Sequence, residues 1–200
     1  MNEPRYKRPL DLAILLFAHL LLLPLWALLW LLIPLAVLLD DGRPIFYRQR
    51  RVGQGGRIFH ALKFRTMVRN ADTIGPAWTS PRDPRLTRVG RLLRGTALDE
   101  LPQVVNILRG DMSFVGPRAL AQDEFDLLKE TVPGFEQRCA VRPGLTGLAQ
   151  VHGDRADSRQ KLEYDLQYIQ GMGLWVDLRL VLLSGWITLR GTWEKPGRKV

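Results

Sequence analysis

The chain has 200 residues, with 29 Lys+Arg against 20 Asp+Glu for a formal charge of +9, and one cysteine. That length suits one globular unit with an appendage, and the charge calls for an anionic partner: a phosphorylated substrate, an anionic membrane surface or a polyanion. Cys139 alone excludes an internal disulfide and the thiolate zinc motifs and fits a reducing compartment, and His19, His60 and His152 are too scattered for a metal cluster.

Residues 10–39, LDLAILLFAHLLLLPLWALLWLLIPLAVLL, carry one acid and one histidine. A straight helix of that length would run about 45 Å against a hydrocarbon core of about 30 Å. It exceeds the apolar region of a signal peptide and lacks the small-residue cleavage site. Arg5, Lys7 and Arg8 precede it, and Arg43, Arg48, Arg50 and Arg51 follow, so both ends read as cytoplasmic. Pro24 at the midpoint removes a backbone donor and breaks the helix into arms of about 21 Å, each too short to cross. A re-entrant hairpin satisfies proline, charges and arm lengths together. A kinked transmembrane helix is the alternative, and sequence physics alone does not separate the two.

From Arg43 to Arg69 there are eight Lys or Arg and no acid. IFYRQRRV and RIFHALKFRTM, joined by Gly53–Gly56, predict two short strands and a glycine turn, with Lys63 and Arg65 on one face. Cations about 7 Å apart in this way suit a diphosphate. The glycines lack the spacing and following helix of a dinucleotide fingerprint. The arginines from 43 to 51 are equally explained by anionic lipid headgroups beside the anchor.

Between Thr96 and Gly110, Leu98, Leu101, Val104, Val105 and Leu108 recur at helical spacing, with Thr96 as N-cap, Pro102 in the first turn and Gly110 as terminator. This sets Asp99 and Glu100 near a helix N-terminus, where they could serve only the helix dipole. Arg88, Arg91 and Arg94 lead in, however, and GDMSFVGPR brings Arg118 after a rigid Gly-Pro. Acids among cations fit a phosphate-and-metal site in which Asp99 attacks phosphorus and Glu100 holds Mg²⁺. RPGLTG forms a turn whose Arg142 is either a nucleotide contact or a loop charge. In residues 161–191 an apolar stripe through Leu174, Trp175, Leu178, Val181, Leu182, Gly185, Trp186 and Leu189, with Asp177 and Arg179 off it, reads as an interfacial amphipathic helix or as one packed on the core.

The chain resembles the bacterial sugar transferases, monotopic polyprenyl-phosphate phosphoglycosyl transferases, in five segments taken in order: KRPLDL, PIFYRQRRVGQGGRIFHALKFRTM, TALDELPQVVNILRGDMSFVGPR, RPGLTGLAQVHG and YDLQYIQGMGLWVDLRLV. The resemblance implies transfer of a sugar phosphate from a UDP-sugar to polyprenyl (undecaprenyl) phosphate with release of UMP. It implies a two-step reaction with Mg²⁺ in which Asp99 is the nucleophile, Glu100 assists the metal, and Lys63, Arg65, Arg94 and Arg118 contact phosphates. Asp99 and Glu100 are then the metal-binding carboxylates as well. It also implies the re-entrant anchor and a place on the cytoplasmic face of the bacterial inner membrane. Three positions depart from the family pattern: Leu23 stands for the serine often found before the anchor proline, Ala119 for a second proline after Arg118, and VHGDRADSR replaces the commoner run after Gln150, leaving Arg155 unaligned.

The expected architecture is α+β: an anchor over residues 1–41, a domain on the cytoplasmic face over 42–191 with a small basic β-hairpin and several amphipathic helices, and a tail over 192–200. A doubly wound sheet is disfavoured because strands and helices do not alternate regularly. Two other functions compete, a membrane-tethered nucleic-acid binder stacking bases on Phe46, Tyr47, Phe59 and Phe64, and a non-catalytic scaffold. Both leave Asp99 and Glu100 without a role, so no nucleic-acid partner is expected. The sequence fixes neither the sugar nor whether the chain forms a homodimer.

Overall fold

The computed structural model describes residues 3–75, 83–153 and 157–190. Arg155 and the 192–200 tail lie outside the described residues. The architecture is a helix-rich mixture of α-helices with two small sheets.

The apolar segment folds as two helices, α1 (Lys7–Leu21) and α2 (Leu23–Asp41), broken at Leu22. Pro24 lies in the first turn of α2, where its missing N–H costs no helical bond. The break is closed by side chains: the Trp26 indole donates to the Ala18 carbonyl at 3.1 Å and stacks on His19 with ring centroids 4.5 Å apart. Among the described residues α2 is the one helix long and apolar enough to cross a membrane. Most leucines of the pair stay exposed, while Leu15, Ile33 and Val37 turn inward.

The basic stretch forms the expected antiparallel hairpin, β1 (Phe46–Val52) and β2 (Ile58–Phe64), in the register Tyr47↔Lys63, Gln49↔Ala61 and Arg51↔Phe59. The intervening turn requires glycine at 55 and 56, where φ is +64° and +78°. One hairpin face packs Phe59 and Ala61 against Leu15 of α1 and Val104 and Ile107; Phe64 packs on Ile33, Val37 and Leu93. Burial of these side chains seats α1 and α2 on the hairpin.

After the short α3 (Ala71–Ile74), α4 (Arg88–Thr96) is capped by the Thr87 hydroxyl, which accepts from Gly90 N–H. A Cβ at Gly90 would lie 2.0 Å from the Thr66 carbonyl oxygen, so only glycine lets α4 rest on the chain leaving β2. The continuous helix expected from Thr96 is not formed. Thr96 is the last residue of α4, its hydroxyl donating to the Leu92 and Leu93 carbonyls, and Ala97 turns left-handed at φ +57°. A 3₁₀ segment, Leu98–Gln103, then carries the acids, followed by α5 (Val104–Arg109), which Gly110 closes at φ +87°. Threonine serves either helix end through different backbone groups, and the periodicity of 98–108 spans both helical forms.

Parallel strands β3 (Ser113–Val115) and β4 (Gly144–Thr146) form the second sheet, flanking α6 (Gln122–Thr131) and a 3₁₀ segment, Phe135–Ala140. The short α7 (Leu148–His152) leads to α8 (Ser158–Gln170) and α9 (Leu174–Arg190). α9 packs on the core through Leu180 and Ile187 while exposing Trp175, Leu182, Trp186 and Leu189. Asp177, expected on a polar face, is fully buried instead and ion-paired to Lys7 at 3.1 Å. Its core partner is 170 positions away, so local periodicity misassigns it. Lys7 also donates to the Val115 carbonyl and the Tyr168 hydroxyl, which makes KRPLDL the clamp between α1, β3 and α9. Arg142, read either as a nucleotide contact or as a loop charge, pairs with Glu3 at 2.8 Å.

Candidate active site

The acid pair lies at a cleft of about 870 Å³ lined by the inner face of β1–β2, the 3₁₀ segment 98–103, the Arg118 loop and, from α1 and α2, Leu15, Ala18 and Trp26. Strand alternation decides which hairpin residues face it. Tyr47, Gln49 and Arg51 share a face with Lys63, and all four line the cleft.

Lys63, Asp99, Glu100 and Arg118 meet directly. Glu100 Oε1 accepts from Lys63 Nζ at 2.7 Å and from Arg118 Nη2 at 2.8 Å. Asp99 Oδ2 lies 3.9 Å from Lys63 Nζ, a Coulombic contact without hydrogen-bond geometry. Asp99 is only 6% exposed, and its carboxylate accepts no hydrogen bond among the described residues. Arg94 lines the same cleft and donates from Nε to the Thr66 hydroxyl at 2.9 Å.

Arg65 also borders the cleft, but just past the end of β2 and largely committed to the anchor. Its Nη2 donates to the Asp41 and Gly42 carbonyls and pairs with the Asp41 carboxylate at 3.1 Å. Nε and Nη1 are buried without a partner among the described residues, an unsatisfied pair of donors at the cleft edge. Two residues not singled out from sequence belong to the same wall: Arg51, whose Nη1 donates to the Ala119 carbonyl, and Gln49, which holds the other arm of that guanidinium. Arg51 was readable from hairpin register, being two residues from Gln49 on the face of Lys63.

The electrostatics separate the two acids. Burial raises the Asp99 pKa, opposed by Lys63 and reinforced by the Glu100 charge. Glu100, although burial acts to raise it, is held well below the usual carboxylate range by Arg118, Lys63 and Arg51. Desolvation lowers Lys63, and desolvation with the charge of Arg118 brings Arg51 down to about 10. The Glu100 charge raises Arg118. Glu100 is thus held as an anion by the cations around it, whereas Asp99 is a buried carboxylate that accepts no hydrogen bond among the described residues.

That donor set suits Mg²⁺, which takes one or two carboxylates and completes its octahedron with water and substrate phosphates. Among the described residues no three His, Cys, Asp or Glu converge, so a metal ion here would need ligands beyond Asp99 and Glu100. Of the rings considered for base stacking, Phe59 and Phe64 are buried in the core and Phe46 stacks on Phe64.

The profile of the bacterial sugar transferase family matches residues 2–191. A UDP-glucose:undecaprenyl-phosphate glucose-1-phosphate transferase of Caulobacter vibrioides is 46% identical over 182 residues, covering 88% of this chain and 67% of that protein. The exopolysaccharide production protein ExoY of Sinorhizobium fredii is 41% identical over 191 residues, covering 88% of this chain and 81% of its own length. A UDP-N-acetylgalactosamine-undecaprenyl-phosphate N-acetylgalactosaminephosphotransferase of Aeromonas hydrophila is 38% identical over 179 residues, and there the same 88% of this chain spans only 41% of the longer protein. Matched along nearly its whole length by both profile and relatives, the chain belongs to the bacterial sugar transferase family.

Proposed function

We propose that the chain transfers a sugar 1-phosphate from a UDP-sugar to undecaprenyl phosphate, releasing UMP. The observation that carries this reading is the acid pair beside Lys63 and Arg118 in a cleft whose other wall is the inner face of the apolar anchor. A phosphorylated lipid acceptor needs such a junction of cationic and apolar surface.

In the first step an Asp99 carboxylate oxygen attacks the phosphorus that bears the sugar. The new bond is an acyl-phosphate O–P bond; the bond to the uridine phosphate breaks, and UMP leaves with its electron pair. In the second, a phosphate oxygen of the acceptor attacks the same phosphorus and Asp99 departs as a free carboxylate, leaving the diphosphate-linked sugar on the lipid. Lys63 and Arg118, with Arg94 and Arg65 at the border, neutralise the phosphate charge that would otherwise repel the nucleophile. Glu100 holds both cations on one oxygen and so sets their positions. Mg²⁺, held by Glu100 and Asp99 together with substrate phosphates, would supply further neutralisation of that charge.

The anchor is a re-entrant hairpin, entering and leaving on the cytoplasmic side of the bacterial inner membrane, with the exposed leucines of α1 and α2 in lipid. The exposed Trp175, Leu182, Trp186 and Leu189 face of α9 lies in the interface beside it. Incubation with Mg²⁺ and a donor labelled in the sugar phosphate, without acceptor, should label the protein, and Asp99→Asn should not be labelled. Labelled Asp99→Asn would remove the nucleophile assignment; a screen in which no UDP-sugar yields UMP with acceptor present would remove the reaction. Cysteines placed at residues 5 and 43 should react with a membrane-impermeant reagent from the same side, and reaction from opposite sides would exclude the hairpin.

A further inference from the structure

Arg118 reaches Glu100 from an irregular loop and its side chain is 43% exposed, so its aim depends on how firmly the loop backbone is held. Gly144 N–H pins one end by donating to the Pro117 carbonyl. Beyond Arg118, alanine at 119 gives no ring to fix the backbone.

Two buried arginines grip the loop on consecutive carbonyls. Arg138 Nη2 donates to the Arg118 carbonyl at 3.0 Å, and Arg51 Nη1 donates to the Ala119 carbonyl at 2.6 Å. Arg138 is itself fixed. Its Nε and Nη2 lie 2.8 and 2.7 Å from Asp165 Oδ2 on α8, and its guanidinium sits 5.0 Å from the Phe135 ring centroid. Both members of the pair are buried, Arg138 at 6% and Asp165 at 1% exposure. A buried ion pair contributes little net stability over a well-packed apolar one, so its value here is geometric.

We propose that Arg138, oriented by Asp165, is a positioning residue that fixes the Arg118 backbone and thereby aims the Arg118 guanidinium at the donor phosphate. This rests on the phosphoryl-transfer reading of the site. Arg138 borders the cleft but makes no hydrogen bond or ion pair with Asp99 or Glu100 among the described residues, so its effect on them passes through Arg118. The planar guanidinium sets Nε and Nη2 side by side on Asp165 while Nη2 also reaches the Arg118 carbonyl, a geometry that an ammonium does not reproduce.

The test is a double-mutant cycle on UMP release, with Arg138→Lys, Arg118→Ala and the double variant. Arg138→Lys should raise KM for the UDP-sugar about tenfold with kcat within about twofold, and in the Arg118→Ala background it should change KM by less than about twofold. An equal effect in both backgrounds, or no effect in the wild-type background, overturns the proposal. Should Arg138→Lys fail to fold, as judged by thermal unfolding, Asp165→Asn enters the same cycle with the same expected outcomes. Absence of turnover in the wild-type protein with every UDP-sugar would sink the transfer reaction, and the positioning role with it, whereas a failed cycle in an active protein sinks the positioning role alone.

Discussion

Two buried lysines meet carboxylates in this fold, and they are used in opposite ways. Lys7 donates to the Val115 carbonyl at 2.6 Å, Tyr168 at 2.8 Å and Asp177 at 3.1 Å, while Tyr6 and Tyr168 hydroxyls donate to the two oxygens of Asp177. Burial beside that carboxylate pushes the Tyr6 and Tyr168 hydroxyls far up, so both remain donors. At Lys63 the cations converge on one oxygen of Glu100, and the neighbouring Asp99 accepts no hydrogen bond among the described residues. A completed network fixes structure; an incomplete one in a cleft keeps its lone pairs for a ligand.

The largest effect should come from Asp99→Asn, which sharpens the contrast. Turnover should fall by at least about 10⁴-fold. The fold should meanwhile become more stable at neutral pH. A folded-state pKa raised above the unfolded value means stability falls as pH climbs from the ordinary carboxylate value through that of Asp99, and the asparagine removes this loss. Thermal unfolding should register about 2–4 °C for each kcal/mol recovered, and a lowered midpoint would contradict the assignment of Asp99 as under-satisfied.

Next comes Lys7→Met, which strands Asp177 in the core and should cost about 3–5 kcal/mol in unfolding measurements. The same exchange at Lys63 should shift the midpoint much less, because desolvation already makes its charged form expensive, but should lower turnover by about 10²-fold. Equal stability losses at the two sites would erase the distinction between them. The smallest shift to be read is in the pH dependence of Glu100→Gln, whatever turnover it retains. Burial is the main cause of the raised Asp99 pKa and the Glu100 charge adds to it, so neutralising Glu100 should move the acid limb of the pH–rate profile to lower pH. Movement to higher pH would show that the limb belongs to another group.

What could be read from the chain alone was mostly local. Alternation and paired glycines specify the hairpin, and with it the shared face of Arg51 and Lys63. Pro24 marks the broken helix to within two residues of Leu22. The adjacent acids and the Gly-Pro before Arg118 point to the same cluster that the fold assembles. Legibility ends where a partner is remote. Arg65 continues the Lys63 alternation, yet the end of α2 captures it through Asp41. Asp177 looks like a solvent-facing charge until Lys7 is brought beside it. Arg138 carries no local signal at all, since its two partners, Asp165 and the Arg118 carbonyl, come from separate elements.

The Lys7–Asp177 pair joins residues 170 positions apart. On a ribosome adding about 5–20 residues per second, that separation is a wait of roughly 10–30 s. During it the lysine has emerged while its acid is still unmade, so α1 exists as a tethered peptide before it is part of a finished body. α9, made long after α1, closes the lock.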